Sequence, residues 1–197
     1  VQVQLADGRQ LRLPESLAAG LHRGAVLGEE QIRSLEARGQ QERGFQHALQ
    51  LLARRPRSEA EIRQRLRKRE LPAEVQEAVI GRLAQLGYLD DEAFARAWVE
   101  NRLAFRPRGR SMLRYELRQK GVSEETIQKA LADFDEERAL QLAAHKGARK
   151  YRGQAWQTFR QRLTGYLARR GFPYAIIPSA VRRAWEATVG AQEESEE

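Results

Sequence analysis

The feature that most constrains this chain is a recurrence of about fifty residues. Ile62, Leu113 and Leu163 stand 51 and 50 residues apart, Leu66, Leu117 and Leu167 repeat that spacing, and Leu83, Leu131 and Val181 follow at 48 and 50. Each copy reads as a helix, a break, a second helix, a stop and a third helix. In the first copy Ala48, Leu49 and Leu52 mark helix one, Ile62 and Leu66 helix two, and Val75, Val79 and Leu83 helix three. The second runs through Phe94 and Trp98, then Leu113 and Leu117, then Ile127 and Leu131; the third through Ala139 and Leu142, then Leu163 and Leu167, then Val181 and Trp185. A unit with so few apolar positions closes only by packing on its neighbours. The expected fold is therefore mainly α, three tandem three-helix repeats forming an elongated curved stack. The expected repeats are 41–89, 90–135 and 136–190, preceded by an accessory domain at 1–40 and followed by a disordered acidic tail at 191–197.

Local signals agree with this division. Gly87 ends a helix that starts near Ala73, since glycine accepts the left-handed conformation there, and Asp90 and Asp91 open the next by capping free N–H groups. Ser58 and Glu61 have the spacing of a capping box. At the start, Val1, Val3 and Leu5 alternate with glutamines, the chain turns at Asp7-Gly8, and Leu11 and Leu13 resume the alternation, a hairpin pattern whose apolar face must pack on the helices that follow. Short helices are expected at Leu17–Leu21 and Glu29–Arg38, separated by Gly24 and Gly28. Leucine, alanine, arginine, glutamate and glutamine dominate the composition, which favours helix.

Several chemistries find no support. There is no cysteine, so disulfides, thiol nucleophiles and thiolate metal sites are out, and a reducing cytoplasm fits. No apolar run approaches the ~18 residues of a membrane span, and nothing at Val1 resembles a leader. His22, His47 and His145 fall in different units without ligand spacing, and no nucleotide-binding or nucleophile motif is present. Asp90, Asp91 and Glu92 form a tight acidic cluster, which reads as a helix N-terminus. No catalytic residue, metal or cofactor is expected, and the chain reads as a non-enzyme.

Charge is more informative. The net charge is +8, and residues 136–190 alone hold 11 basic and 3 acidic side chains. The break after each first helix is basic: Arg54, Arg55 and Arg57; Arg106, Arg108 and Arg110; Arg149, Lys150 and Arg152. Equivalent loops of stacked repeats align, so these residues are expected to form one positive strip facing a polyanion. Second helices extend it with Arg63, Arg67, Lys68, Arg114, Arg118, Lys120, Arg160 and Arg162. Phe105 and Tyr151 lie in the basic loops, where they either stack on bases or plug a repeat junction. The third helices carry Glu74 and Glu77, then Glu124 and Glu125, which argues against a recognition helix reading a DNA groove.

The segments RPRSEAEIRQRL, GYLDDEAFARAWVENR and GRSMLRYELRQKGVSEETI, within a match from about Phe45 to Trp185, resemble the RecX family of bacterial regulators. The resemblance implies a non-catalytic modulator of the RecA recombinase, lying in the groove of the RecA filament on single-stranded DNA and inhibiting ATP hydrolysis and strand exchange; a monomer is the expected state. The alternative is a sequence-independent DNA-binding module. In the third copy Gly171-Phe172 only approximates the Lys120-Gly121-Val122 ending.

Overall fold

The computed structural model describes the backbone of residues 1–193 and the side chains up to residue 188. It divides into two units, Val1–Asp90 and Asp91–Glu197. The part of the expected tail from residue 194 onward lies outside the described residues.

The first unit opens with the expected hairpin, β1 (Gln2–Gln4) antiparallel to β2 (Gln10–Arg12), with Val3 opposite Leu11. Gly8 takes a positive φ at the turn, and Asp7 accepts from the Arg9 backbone at 3.0 Å. Leu11, Leu13 and Ile32 form a small core with Leu17, Leu21 and Leu35 around it, so the apolar face of the hairpin is covered by α1 (Glu15–Ala18) and α2 (Glu29–Leu52). Here two expectations need correction. The segment at 17–21 is a single turn ending at Ala18, and the helix expected to stop at Arg38 continues through Leu52. Its glycines do not break it because they serve close packing. A Cβ on Gly39 would lie 3.0 Å from the Arg12 carbonyl oxygen, and one on Gly44 would lie 3.0 Å from Leu71 Cδ1. The accessory segment and the first repeat therefore share one helix.

The first repeat is completed by α3 (Glu59–Arg67) and α4 (Ala73–Gln85). Ser58 is fully buried, and its hydroxyl accepts from the Glu61 N–H at 3.2 Å, fixing the start of α3. Phe45, Ala48, Ile62, Leu66, Val79 and Leu83 fill the interior.

The second unit holds α5 (Asp91–Phe105), α6 (Arg110–Gln119) and α7 (Glu124–Leu131), then α8 (Glu136–Ala148), α9 (Trp156–Ala168) and α10 (Ile177–Glu193). Leu113, Leu117 and Ile127 centre one core, Leu163, Leu167 and Val181 the other, and the recurrent positions named from the sequence are all buried. Two inward assignments shift. Trp98 is half-buried rather than fully enclosed, because its indole N–H needs an acceptor and donates to Glu116 Oε2 at 2.9 Å. Leu142 is exposed, and Leu140 with Ala139 and Ala143 faces the core instead, the i, i+1, i+4 set of one helical face.

The endings of the second helices coincide closely. Gly121 (φ 74°) and Gly171 (φ 84°) are both left-handed, and Val122 and Phe172 return their N–H groups to the Leu117 and Leu167 carbonyls at 3.2 and 3.4 Å. The ending at Gly171-Phe172 is thus the same turn as the one at Gly121-Val122. In the first repeat that position is Glu70, left-handed at φ 58°. The Gly171 turn also packs on the start of α6. Gly109 donates to the Arg170 carbonyl at 2.9 Å, Ser111 Oγ donates to the Gly171 carbonyl at 2.7 Å, and a Cβ on Gly109 would collide with the Gly171 carbonyl.

Candidate functional site

The three basic breaks differ in how their side chains are engaged. In the first, Arg55 grips the Glu61 carboxylate with two bonds, 3.1 and 2.9 Å, which raises its pKa above the ordinary arginine value. Half-buried Arg57 donates to the Leu51 carbonyl at 3.2 Å, and burial, with Arg55 nearby, lowers its pKa. Arg54 is exposed, and its side chain has no hydrogen bond or ion pair among the described residues. Arg63 on α3 lies between Glu59 and Glu77, so a third-helix carboxylate holds a second-helix cation.

The second break is largely structural. Arg110, expected on the binding strip, instead turns inward: its guanidinium donates to the Leu131 and Phe134 carbonyls at 2.5 and 2.9 Å, while its backbone N–H is capped by Glu136 at 2.9 Å. The reason is chemical, since the carbonyls at the end of α7 and in the turn that follows it need donors and a planar guanidinium supplies two. Half-buried Arg108 has its Nε 3.6 Å from Glu116, too long for a hydrogen bond. On α6, Arg114 and Arg118 both pair with Glu124, at 3.2 and 2.8 Å. Lys120 lies 5.1 Å from the Trp98 ring centre, and Arg102 is over the same ring at 4.2 Å. Arg106 alone in this loop is exposed without a side-chain partner among the described residues.

In the third break Arg149, Lys150 and Arg152 are all exposed and meet no carboxylate among the described residues. The same holds for Arg160 and Arg162 on α9. Arg149 and Arg152 edge a groove between α8 and α10 floored by Ala144, Ala148, Ala180 and Ala184. Within the second unit the break of repeat two is met by α8 and by the turn that ends α9. Lys146 donates to the Ala104 and Phe105 carbonyls at 2.9 and 3.2 Å, and Arg170 donates to the Pro107 carbonyl at 3.2 Å while stacking 4.3 Å over Tyr166. Burial lowers the Arg170 pKa, Tyr166 opposes that, and Arg108 and Arg106 add to the lowering.

Lys146 and Arg170 were absent from the strip expected from the sequence. A signal for Arg170 exists there nonetheless: Arg69, Lys120 and Arg170 each directly precede the left-handed residue that ends a second helix. Phe105 is 71% exposed, whereas Tyr151 is half-buried against the third core. The acidic cluster at the start of α5 is engaged electrostatically, with Glu92 held by Lys129 at 3.1 Å. Among the described residues no group of three or more His, Asp or Glu side chains is arranged to hold a metal, and no helix is long and apolar enough to cross a membrane.

Comparison with known proteins places all three repeats. Models of the first, second and third three-helix domains of RecX match residues 45–83, 90–131 and 135–181. A protein of Thermobifida fusca named Regulatory protein RecX is 40% identical over 142 residues, 71% of this chain and 77% of that protein. One of the same name from Bacillus pumilus is 32% identical over 180 residues, 90% of this chain and 67% of that protein. A crystal structure of regulatory protein RecX superposes with TM-score 0.68 at 27% identity, covering 88% of this chain and 90% of the other. That of RecX from Lactobacillus salivarius gives 0.63 at 20% identity over 74% and 96%, a likeness of fold.

Proposed function

Because the chain belongs to the RecX family of regulatory proteins, we propose that it is a non-catalytic negative regulator of the RecA recombinase, binding the groove of the RecA filament on single-stranded DNA. It acts in the cytoplasm as a monomer, and its occupancy of the groove slows ATP hydrolysis and strand exchange. The observation that carries this reading is the set of exposed cations without a carboxylate partner among the described residues in equivalent breaks: Arg54 in the first repeat, Arg106 in the second, and Arg149, Lys150 and Arg152 in the third. A nucleoprotein filament repeats its surface from subunit to subunit and contains a polyanion, so a protein of repeats with cations at a recurrent position suits it in period and charge.

The test is the ATPase rate of recombinase saturated with single-stranded DNA, titrated with this protein. Inhibition at levels far too low to coat the DNA is the expected outcome. Inhibition that begins only at coating stoichiometry would replace the reading by that of a DNA-binding module without a dedicated protein target.

A further inference from the structure

We propose that the junction of the second and third repeats is a binding site for a single-stranded nucleic acid, with Arg106, Arg108, Lys150 and Arg170 holding phosphodiesters and Phe105 stacking on a base. This deepens the regulator reading, on which it rests for the choice of contact face, by assigning the strand rather than the recombinase to this cluster.

The first argument is convergence. Arg106 and Arg108 come from the break between α5 and α6, Lys150 from the end of α8 and Arg170 from the end of α9. Tyr166 links the last two, with Arg170 4.3 Å and Lys150 5.7 Å from its ring centre. The Tyr166 ring is held against α8 at Gly147, where a Cβ would come within 2.8 Å of its Cε1, so the ring has little room to move. Arg170 is tied to the α5–α6 break through the Pro107 carbonyl and the Gly109 N–H.

The second argument is the scarcity of counter-charge. On the second helices of the first two repeats arginines have carboxylates beside them: Arg63 has Glu59 and Glu77, and Arg114 and Arg118 share Glu124. At the junction Glu116 lies 3.6 Å from Arg108 and already accepts from Trp98 and Arg102 at 2.9 and 2.7 Å, and Arg106, Lys150 and Arg170 have no ion pair among the described residues. Like charges held together without compensation favour a bound anion, and the partial burial of Arg170 strengthens its field toward one.

The third argument selects the ligand. Phe105, adjacent to Arg106, leaves 71% of its surface in water and has no ring partner among the described residues. A protein surface could cover the ring but would not distinguish a strand with bases from one without them, which is the comparison the experiment makes. In a duplex the bases are already stacked. A single strand offers phosphates at one edge and free base faces at the other, the combination that a cation cluster with an exposed aromatic ring recognises.

The experiment measures binding of the full chain, without recombinase, to a fluorescent oligothymidylate and to an abasic strand of the same length across a salt series. Arg106→Glu with Lys150→Glu, both on exposed side chains, should weaken both strands by about tenfold or more and flatten the salt slope by roughly 1.4, two contacts at ~0.7 each. Phe105→Ala should weaken the oligothymidylate about fivefold or more and leave the abasic strand unaffected. An unchanged salt slope in the double variant, equal losses on both strands for Phe105→Ala, or displacement by polyglutamate as effective as by oligonucleotide would overturn the proposal. Since recombinase is absent, those outcomes leave the ATPase test of the regulator reading untouched.

Discussion

In the second repeat Glu124 on α7 takes both Arg114 and Arg118 of α6, whereas in the third Arg160 and Arg162 of α9 have no carboxylate among the described residues. The reason lies at the start of the third helix: α7 opens on Glu124 and Glu125, while α10 has no acid in its first turn. The breaks differ in the same sense. Arg110 is turned inward onto the carbonyls of Leu131 and Phe134, and the equivalent stretch of the third repeat leaves Arg149, Lys150 and Arg152 in water. Two repeats with matching cores thus put similar numbers of cations to opposite uses, one to hold the fold and one available to a partner. Counting arginines in a sequence does not distinguish them.

The contrast is most sharply broken at Arg110 and Arg152. Arg110→Ala removes two charged donors from partly buried carbonyls and should cost about 3 kcal/mol in urea unfolding, with no specific effect on salt-dependent strand binding. Arg152→Ala should stay within about 0.5 kcal/mol of the parent while lowering the salt slope by about 0.7. If the two variants exchanged these phenotypes, the division of roles between the repeats would be wrong.

A smaller effect extends the comparison to the first repeat. Glu70 occupies at φ 58° the position that Gly121 and Gly171 fill in the other two, and a left-handed backbone disfavours a side chain. Glu70→Gly should therefore stabilise the protein by about 0.5 to 1 kcal/mol, read as a raised denaturation midpoint. A lowered midpoint would show that the Glu70 side chain contributes more than its backbone costs.

A small change in stability, and a useful one, is expected of Glu124→Gln. It releases Arg114 and Arg118 from exposed ion pairs, which contribute little to folding, so unfolding should move by less than about 1 kcal/mol. The second repeat would then resemble the third electrostatically, and the salt slope of strand binding should steepen. A slope identical to the parent would mean that α6 lies off the contact face.

Much of the fold was legible because it depends on local, repeated signals. Apolar spacing marked the residues that line the three cores, Ser58 marked the start of α3, and Gly87 took the left-handed conformation its position demanded. Failures came where a residue served a neighbour distant in sequence. The helix expected to end at Arg38 runs on, because Gly39 is the place where β2 packs on α2. Trp98 looked like core and sits at its edge to reach Glu116. Of the candidate site, the recurrent basic breaks were visible, but their engagement was not. Lys146 and Arg170 were missed because each is far in sequence from the break it packs against.

By itself the sequence determined the period, the helical character and the places where charge accumulates, since all three follow from residue type and spacing along the chain. Only tertiary structure decided which cations face solvent. A guanidinium is equally at home on a carboxylate, a helix-end carbonyl or a phosphate, and the choice depends on which acceptor the fold brings within about 3 Å.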